Sequence, residues 1–165
     1  MEKIFLNGLE CHINGNLPKV GENAPNFDLV STNLQPISNK DFAGKNIILN
    51  IFPSLDTDVC AMSVRRFNKD AGSIPNTVIL CVSMDLPFAA KRFCSTNGID
   101  NVFPASAFRS TEFSNSYGVK IIDGPLSGLL ARAVIVIDKN MKILRTMLVD
   151  EITHEPNYEE ILKLF

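Results

Sequence analysis

Four cysteines, Cys11, Cys60, Cys81 and Cys94, are the side chains of this chain best suited to covalent chemistry. A thiol attacks only as the thiolate, and at an ordinary pKa near ~8.5 only about 3% is ionised at pH 7. Cys60 has a setting that changes this, because it closes the run FPSLDTDVC with Pro53 and Thr57 upstream. Ionisation by itself raises the thiolate fraction only ~30-fold, from about 3% towards unity. Fast attack on an oxidant therefore also needs donors aimed at the oxygen that leaves. Thr57, one helical turn ahead, is close enough for its hydroxyl to approach the sulfur. The plain alternative is that a lone cysteine on a helix is a small core side chain.

The stretch NIILNIFPSLDTDVCAMSVRRFN, residues 46–68, supplies the elements that position this thiol. Ile47, Ile48, Leu49, Ile51 and Phe52 form a short run rich in β-branched residues, which reads as a strand buried on both faces. Pro53 ends it, since proline has no N–H for a sheet ladder. Ser54, Leu55 and Asp56 make a polar turn, and Thr57 or Asp58 is the expected helix N-cap. Val59, Met62, Phe67 and Ala71 then recur at helical spacing, with Arg65, Arg66, Asn68 and Lys69 on the other faces. Cys60 thus falls in the first turn of a helix, beyond the carboxyl end of a central strand. Unpaired N–H groups and a partial positive charge favour an anion there, and neighbouring arginines add to the effect.

The remaining chain supplies the frame. Residues 3–16 hold two short apolar pieces around Asn7 and Gly8, a hairpin at the margin of the fold. Within it Cys11 and His12 face opposite sides of an extended strand and cannot share a metal, so Cys11 is expected to be an incidental, exposed thiol. Short strands are expected over 26–30 and 35–37, with a helical turn over 40–44. Thr77 to Ser83 is a second buried strand and completes a β-α-β unit with parallel strands; Cys81 inside it reads as apolar filler. Asp85 and Pro87 mark a helix start and Gly98 its stop, with Cys94 near the C-terminal end. A short strand is expected over 101–103, then a short helix opened by Ser110 with Glu112 and closed by Gly118. The segment 118–130, GVKIIDGPLSGLL, is too irregular for one element and too apolar for a free loop, and suits a lid or a subunit contact. Residues 131–138 and 141–149 form a hairpin, and 157–165 a terminal amphipathic helix. This order argues a mixed-sheet α/β sandwich.

Composition narrows the class. With 165 residues, 45% of them hydrophobic, the chain is expected to form one globular domain over 1–165, the hairpin of 1–16 being an extension of it. Net charge of −2 gives no reason to expect nucleic acid or a membrane surface as partner. No apolar run approaches a membrane span, and MEKIFLNGLECHING carries no signal-peptide pattern. Four cysteines are too few for a secreted disulfide scaffold, so a cytoplasmic setting with transient, catalytic disulfides is expected.

The residues around Cys60 carry a resemblance. Pro53, Thr57 and Cys60 are spaced as in the peroxiredoxin signature. The wider FPSLDTDVCAMSVRRFN, with DLPFAAKRFC and LLARAVIVID after it, resembles the thiol peroxidase branch of that family along nearly the whole chain. The resemblance implies a thioredoxin-like three-layer sandwich with a mixed central sheet and an added N-terminal β-hairpin. It implies reduction of hydrogen peroxide and organic hydroperoxides by Cys60, whose sulfenic acid condenses with Cys94 to an intrachain disulfide. It gives Arg132 the part of donor to thiolate and peroxide, and Pro53 that of shielding the sulfur. No cofactor or metal is implied; thioredoxin is the implied reductant and a homodimer the implied assembly. The apolar Leu55, Val59 and Met62, with residues 119–130, suggest tolerance for alkyl hydroperoxides.

Other chemistries fit less well. A thioredoxin-type oxidoreductase needs C-x-x-C, but Ser63 stands three residues after Cys60. A cysteine hydrolase needs a histidine base, and His12 and His154 lie in a marginal hairpin and a charged loop. Ligands at metal-chelating spacing are lacking. A binding module with an inert Cys60 remains the alternative from another class.

Overall fold

The computed structural model describes residues 1–165. Its centre is a seven-stranded mixed sheet of order β4-β3-β7-β6-β5-β8-β9. β5 (Asn46–Ile51) lies parallel to β6 (Thr77–Ser83) and antiparallel to β8 (Ala133–Ile137). β6 runs parallel to β7 (Phe103–Ser106), which pairs antiparallel with β3 (Asp28–Ser31), and β4 (Pro36–Ser38) forms that edge. β9 (Ile143–Leu148) forms the other.

Alternation along β5 decides what packs where. Ile47, Leu49 and Ile51 face a core shared with Phe27, Leu29 and two aromatics, Phe113 of α3 (Thr111–Ser116) and Tyr117 just after it. Ile48 and Phe52 face the opposite core, built with α1 (Asp58–Asp70), α2 (Pro87–Asn97) and α4 (Tyr158–Leu162). The result is the expected three-layer sandwich. A separate two-stranded sheet, β1 (Lys3–Leu6) with β2 (Leu9–His12), is the expected N-terminal hairpin, turning through Asn7 and Gly8 at positive φ. It closes a third core in which Ile4, Cys11 and Ile13 meet Ile121, Ala131 and Ile152.

Several expectations need correction. Met62 is 45% exposed; the buried face of α1 is Cys60, Val64 and Phe67 with Ala61 and Ser63. Cys11 is a core side chain at 1% exposure, because the inner face of the hairpin packs on the 118–130 segment. That segment is no free lid. Val119, Ile121 and Leu130 are buried, Ile121 bridges Ile13, and Lys120 bridges Leu130. The third parallel strand is Phe103–Ser106 rather than 101–103, the helical turn before β5 is Asn39–Phe42, and the terminal helix is only Tyr158–Leu162.

Candidate active site

β5 delivers the chain to the site, and the residues after it form a bent approach to α1. Phe52, Pro53 and Leu55 are buried, while Asp56 and Thr57 face solvent. Thr57 is the N-cap by backbone geometry, but its side-chain oxygen accepts from no helix N–H; the hydroxyl donates to the Ser54 carbonyl oxygen at 3.1 Å and makes no bond to the sulfur. Cys60 follows as the third helical residue and has 0% of its surface exposed.

Arg132 is the residue that reaches the sulfur. It sits immediately before β8, the strand beside β5, and its Nη2–H donates to Cys60 Sγ at 3.2 Å. Its Nε–H donates to the Ile152 carbonyl at 2.8 Å. Nη1 is buried and has no partner. The side chain is 1% exposed, and no carboxylate stands within ion-pair distance of it. Arg65 and Arg66, the arginines nearest in sequence, turn elsewhere. Arg65 donates to Asn97 Oδ1 on α2, and Arg66 pairs with Asp70 at 2.6 Å and lies over the Tyr158 ring.

Two supporting groups have no counterpart in the sequence-based reading. Asp85, expected only to mark a helix start, accepts from Ser54 Oγ, Leu55 N–H and Ser83 Oγ, each at 2.7 Å. Its carboxylate thereby ties the loop carrying Pro53 to the end of β6. The second group is Asn50, which faces α1 from β5 and donates to Ser63 Oγ at 3.2 Å; Ser63 in turn donates to the Cys60 carbonyl at 2.7 Å. The available signals were an acid just before Leu-Pro and one asparagine within an apolar strand. Each demands a partner once buried.

Cys94 lies in the last turns of α2, half-buried against the same core that holds Cys60. All four cysteines are free thiols. The Cys94 carbonyl accepts from Gly98 N–H and Ile99 N–H, and Gly98 at φ 63° ends the helix there. Burial pushes the Cys94 thiol up, and it pushes Cys81 up to about 12. Cys60 is therefore a buried sulfur on a guanidinium donor, Cys94 a sulfur at a helix end packed against the same core, and no three metal-ligating side chains cluster in the chain.

The Redoxin family model matches residues 19–162. The thiol peroxidase of Corynebacterium glutamicum is 54% identical over 162 residues, covering 98% of this chain and 98% of that one. Among solved structures, a peroxiredoxin-like protein from Aquifex aeolicus superposes with a TM-score of 0.92 at 39% identity, over 99% of this chain and 95% of that one. A thiol peroxidase from Chromobacterium violaceum gives a TM-score of 0.91 at 22% identity, over 98% and 94%, a likeness of fold.

Proposed function

Because this chain belongs to the Redoxin family and is a peroxidase of its thiol peroxidase branch, acting on a peroxide at the expense of a thiol reductant, we propose that Cys60 is the attacking sulfur and Cys94 the resolving one. The observation that carries this reading is the pairing of Cys60 Sγ with a buried guanidinium that has no carboxylate. A buried charge left without a counter-ion costs about 3–5 kcal/mol. Removing the proton from an ordinary thiol at pH 7 costs only about 2 kcal/mol. A thiolate on Cys60 would be held by Nη2 as the counter-ion of this guanidinium.

The thiolate attacks one oxygen of hydrogen peroxide or an organic hydroperoxide. An S–O bond forms, the O–O bond breaks, and its electron pair leaves on the distal oxygen, which takes a proton to become water or an alcohol. Arg132 Nη1, a buried donor without a partner, is free to bond the peroxide while Nη2 holds the sulfur. Pro53 shields the sulfur, and Thr57 turns its hydroxyl from the Ser54 carbonyl towards the incoming oxygen. Apolar neighbours Leu55 and Val59 suit alkyl hydroperoxides beside hydrogen peroxide.

The Cys94 thiol then attacks the Cys60 sulfenic acid, releasing water and forming an intrachain disulfide. A disulfide needs Cα atoms within roughly 7 Å. The end of α2 is the segment that unwinds to provide this, since Cys94 stands beside its glycine stop. Thioredoxin restores both thiols and becomes oxidised. The protein works as a single-domain unit over 1–165, as a homodimer in the cytoplasm; no helix is long and apolar enough to cross a membrane.

The test is a pair of variants. Cys60→Ser abolishes peroxide turnover. Cys94→Ser permits one stoichiometric oxidation and then stalls with thioredoxin as donor. Sustained thioredoxin-dependent turnover by Cys94→Ser would remove Cys94 from the resolving role.

A further inference from the structure

The guanidinium of Arg132 is held from behind by the N-terminal hairpin. Its Nε–H donates to the Ile152 carbonyl, so the position of residues 150–153 sets the direction of the fork that meets Cys60. Those residues continue from β9, which the Val149 N–H ties to the Arg132 carbonyl at 2.9 Å, and beyond that bond their backbone is held by the hairpin. Phe5 N–H donates to the Asp150 carbonyl at 2.7 Å, and Ile152 N–H donates to the Phe5 carbonyl at 2.9 Å. The Glu151 carboxylate takes the Asn7 and Gly8 N–H groups of the hairpin turn, at 3.0 and 3.1 Å. It also takes the Thr153 N–H at 3.2 Å and hydroxyl at 2.9 Å. The third core completes the brace, since Ile4, Cys11 and Ile13 of the hairpin segment share it with Ile152 and with Ala131, the residue before Arg132.

We propose that the N-terminal hairpin is a positioning device for Arg132, with Glu151 as the positioning residue that locks the hairpin turn to the Ile152 carbonyl. The inference rests on the Arg132 role given above. Its physical basis is that a guanidinium is a rigid planar fork, so fixing Nε fixes the line along which Nη2 and Nη1 point. Donors serve a reacting centre only when held in place beforehand, and a misplacement of about 1 Å can cost 10²-fold in rate. A carboxylate accepting four hydrogen bonds is a stiff joint. Desolvation on its own raises the Glu151 carboxyl, but the bonds from Asn7, Gly8 and Thr153 outweigh it and lower it to about 2.

The experiment uses the full chain in a Cys94→Ser background, so that only the first oxidation is read. One equivalent of hydrogen peroxide is added and Cys60 oxidation is followed by quenched mass measurement; thiolate absorbance near 240 nm is titrated against pH. Glu151→Gln slows oxidation about tenfold and moves the thiolate titration to higher pH, while Thr153→Val gives about a twofold change in the same direction. Arg132→Lys keeps the charge but loses the Nε donor to Ile152, so in that background neither variant adds a further loss. A folded Glu151→Gln protein with parental rate and titration overturns the coupling. So does an equal tenfold loss that persists with Arg132→Lys. Should Glu151→Gln not fold, Thr153→Val decides, its unchanged behaviour counting against the coupling. Parental oxidation by Arg132→Lys would instead overturn the Arg132 role itself.

Discussion

Arg132 and Cys60 form a pair that neither residue could form alone. The guanidinium brings a permanent charge into hydrogen-bond contact with the sulfur, and the sulfur stands in the first turn of a helix, where an anion is favoured. Cys81 shows the opposite setting within the same core. It has no cation, it lies inside β6, and burial pushes its thiol up to about 12, with the Asn50 amide only partly offsetting this. At pH 7 Cys81 is therefore inert, and an alkylating reagent applied to the folded, reduced protein modifies Cys60 and Cys94 but leaves Cys81 untouched. Peptide mapping after a short exposure checks this; prompt labelling of Cys81 would show that its core opens readily.

At the scale of elements, the site depends on three segments meeting at one end of the sheet: the loop from β5 to α1, the residue before β8, and the start of α2. Asp85 joins the first to the third. Replacing it with asparagine keeps the shape but puts a donor where three donors converge, which costs about 1–3 kcal/mol for the groups left unsatisfied. Asp85→Asn is therefore expected to lower the thermal midpoint and to slow Cys60 oxidation, both measurable on one preparation. Wild-type oxidation by a folded Asp85→Asn protein would show that the loop holds its shape without this carboxylate.

How far these elements were legible depended on whether local pattern and tertiary burial agreed. They agreed for β5 and β6, whose apolar runs have no competing reading, and for the Cys60 turn and the Gly98 stop. They disagreed on α1, where Met62 looked buried and Ser63 was given no packing role. Ser63 is buried because its hydroxyl is satisfied by the Cys60 carbonyl and by Asn50, a pairing that hydropathy cannot register. Cys11 was misplaced for a related reason, since the partner that buries it, the 118–130 segment, lies over a hundred residues away. Arg132 was reached through the resemblance alone. Sequence offers no local mark that separates it from an arginine at a strand edge.

At the scale of the molecule, the two cores of the central sandwich are joined to the third core, under the hairpin, through residues 150–153 and the stretch around Arg132. Acid sensitivity follows from the joint. The Glu151 carboxyl, ordinarily near 4.5, is lowered to about 2 in the fold. Its contribution to stability is present above 4.5 and is lost as pH falls through about 2. Glu151→Gln removes that contribution, so its thermal midpoint lies below the parent's at neutral pH and converges with it in strong acid. A constant offset across the whole range would show that the carboxylate is not the group being titrated.

The most direct measurement is mass spectrometry of the reduced protein given a single equivalent of hydrogen peroxide and digested without reductant. One new species is expected, a peptide pair joined through Cys60 and Cys94, with Cys11 and Cys81 still free. An unmodified Cys60, or a bond that joins it to any other cysteine, would contradict it.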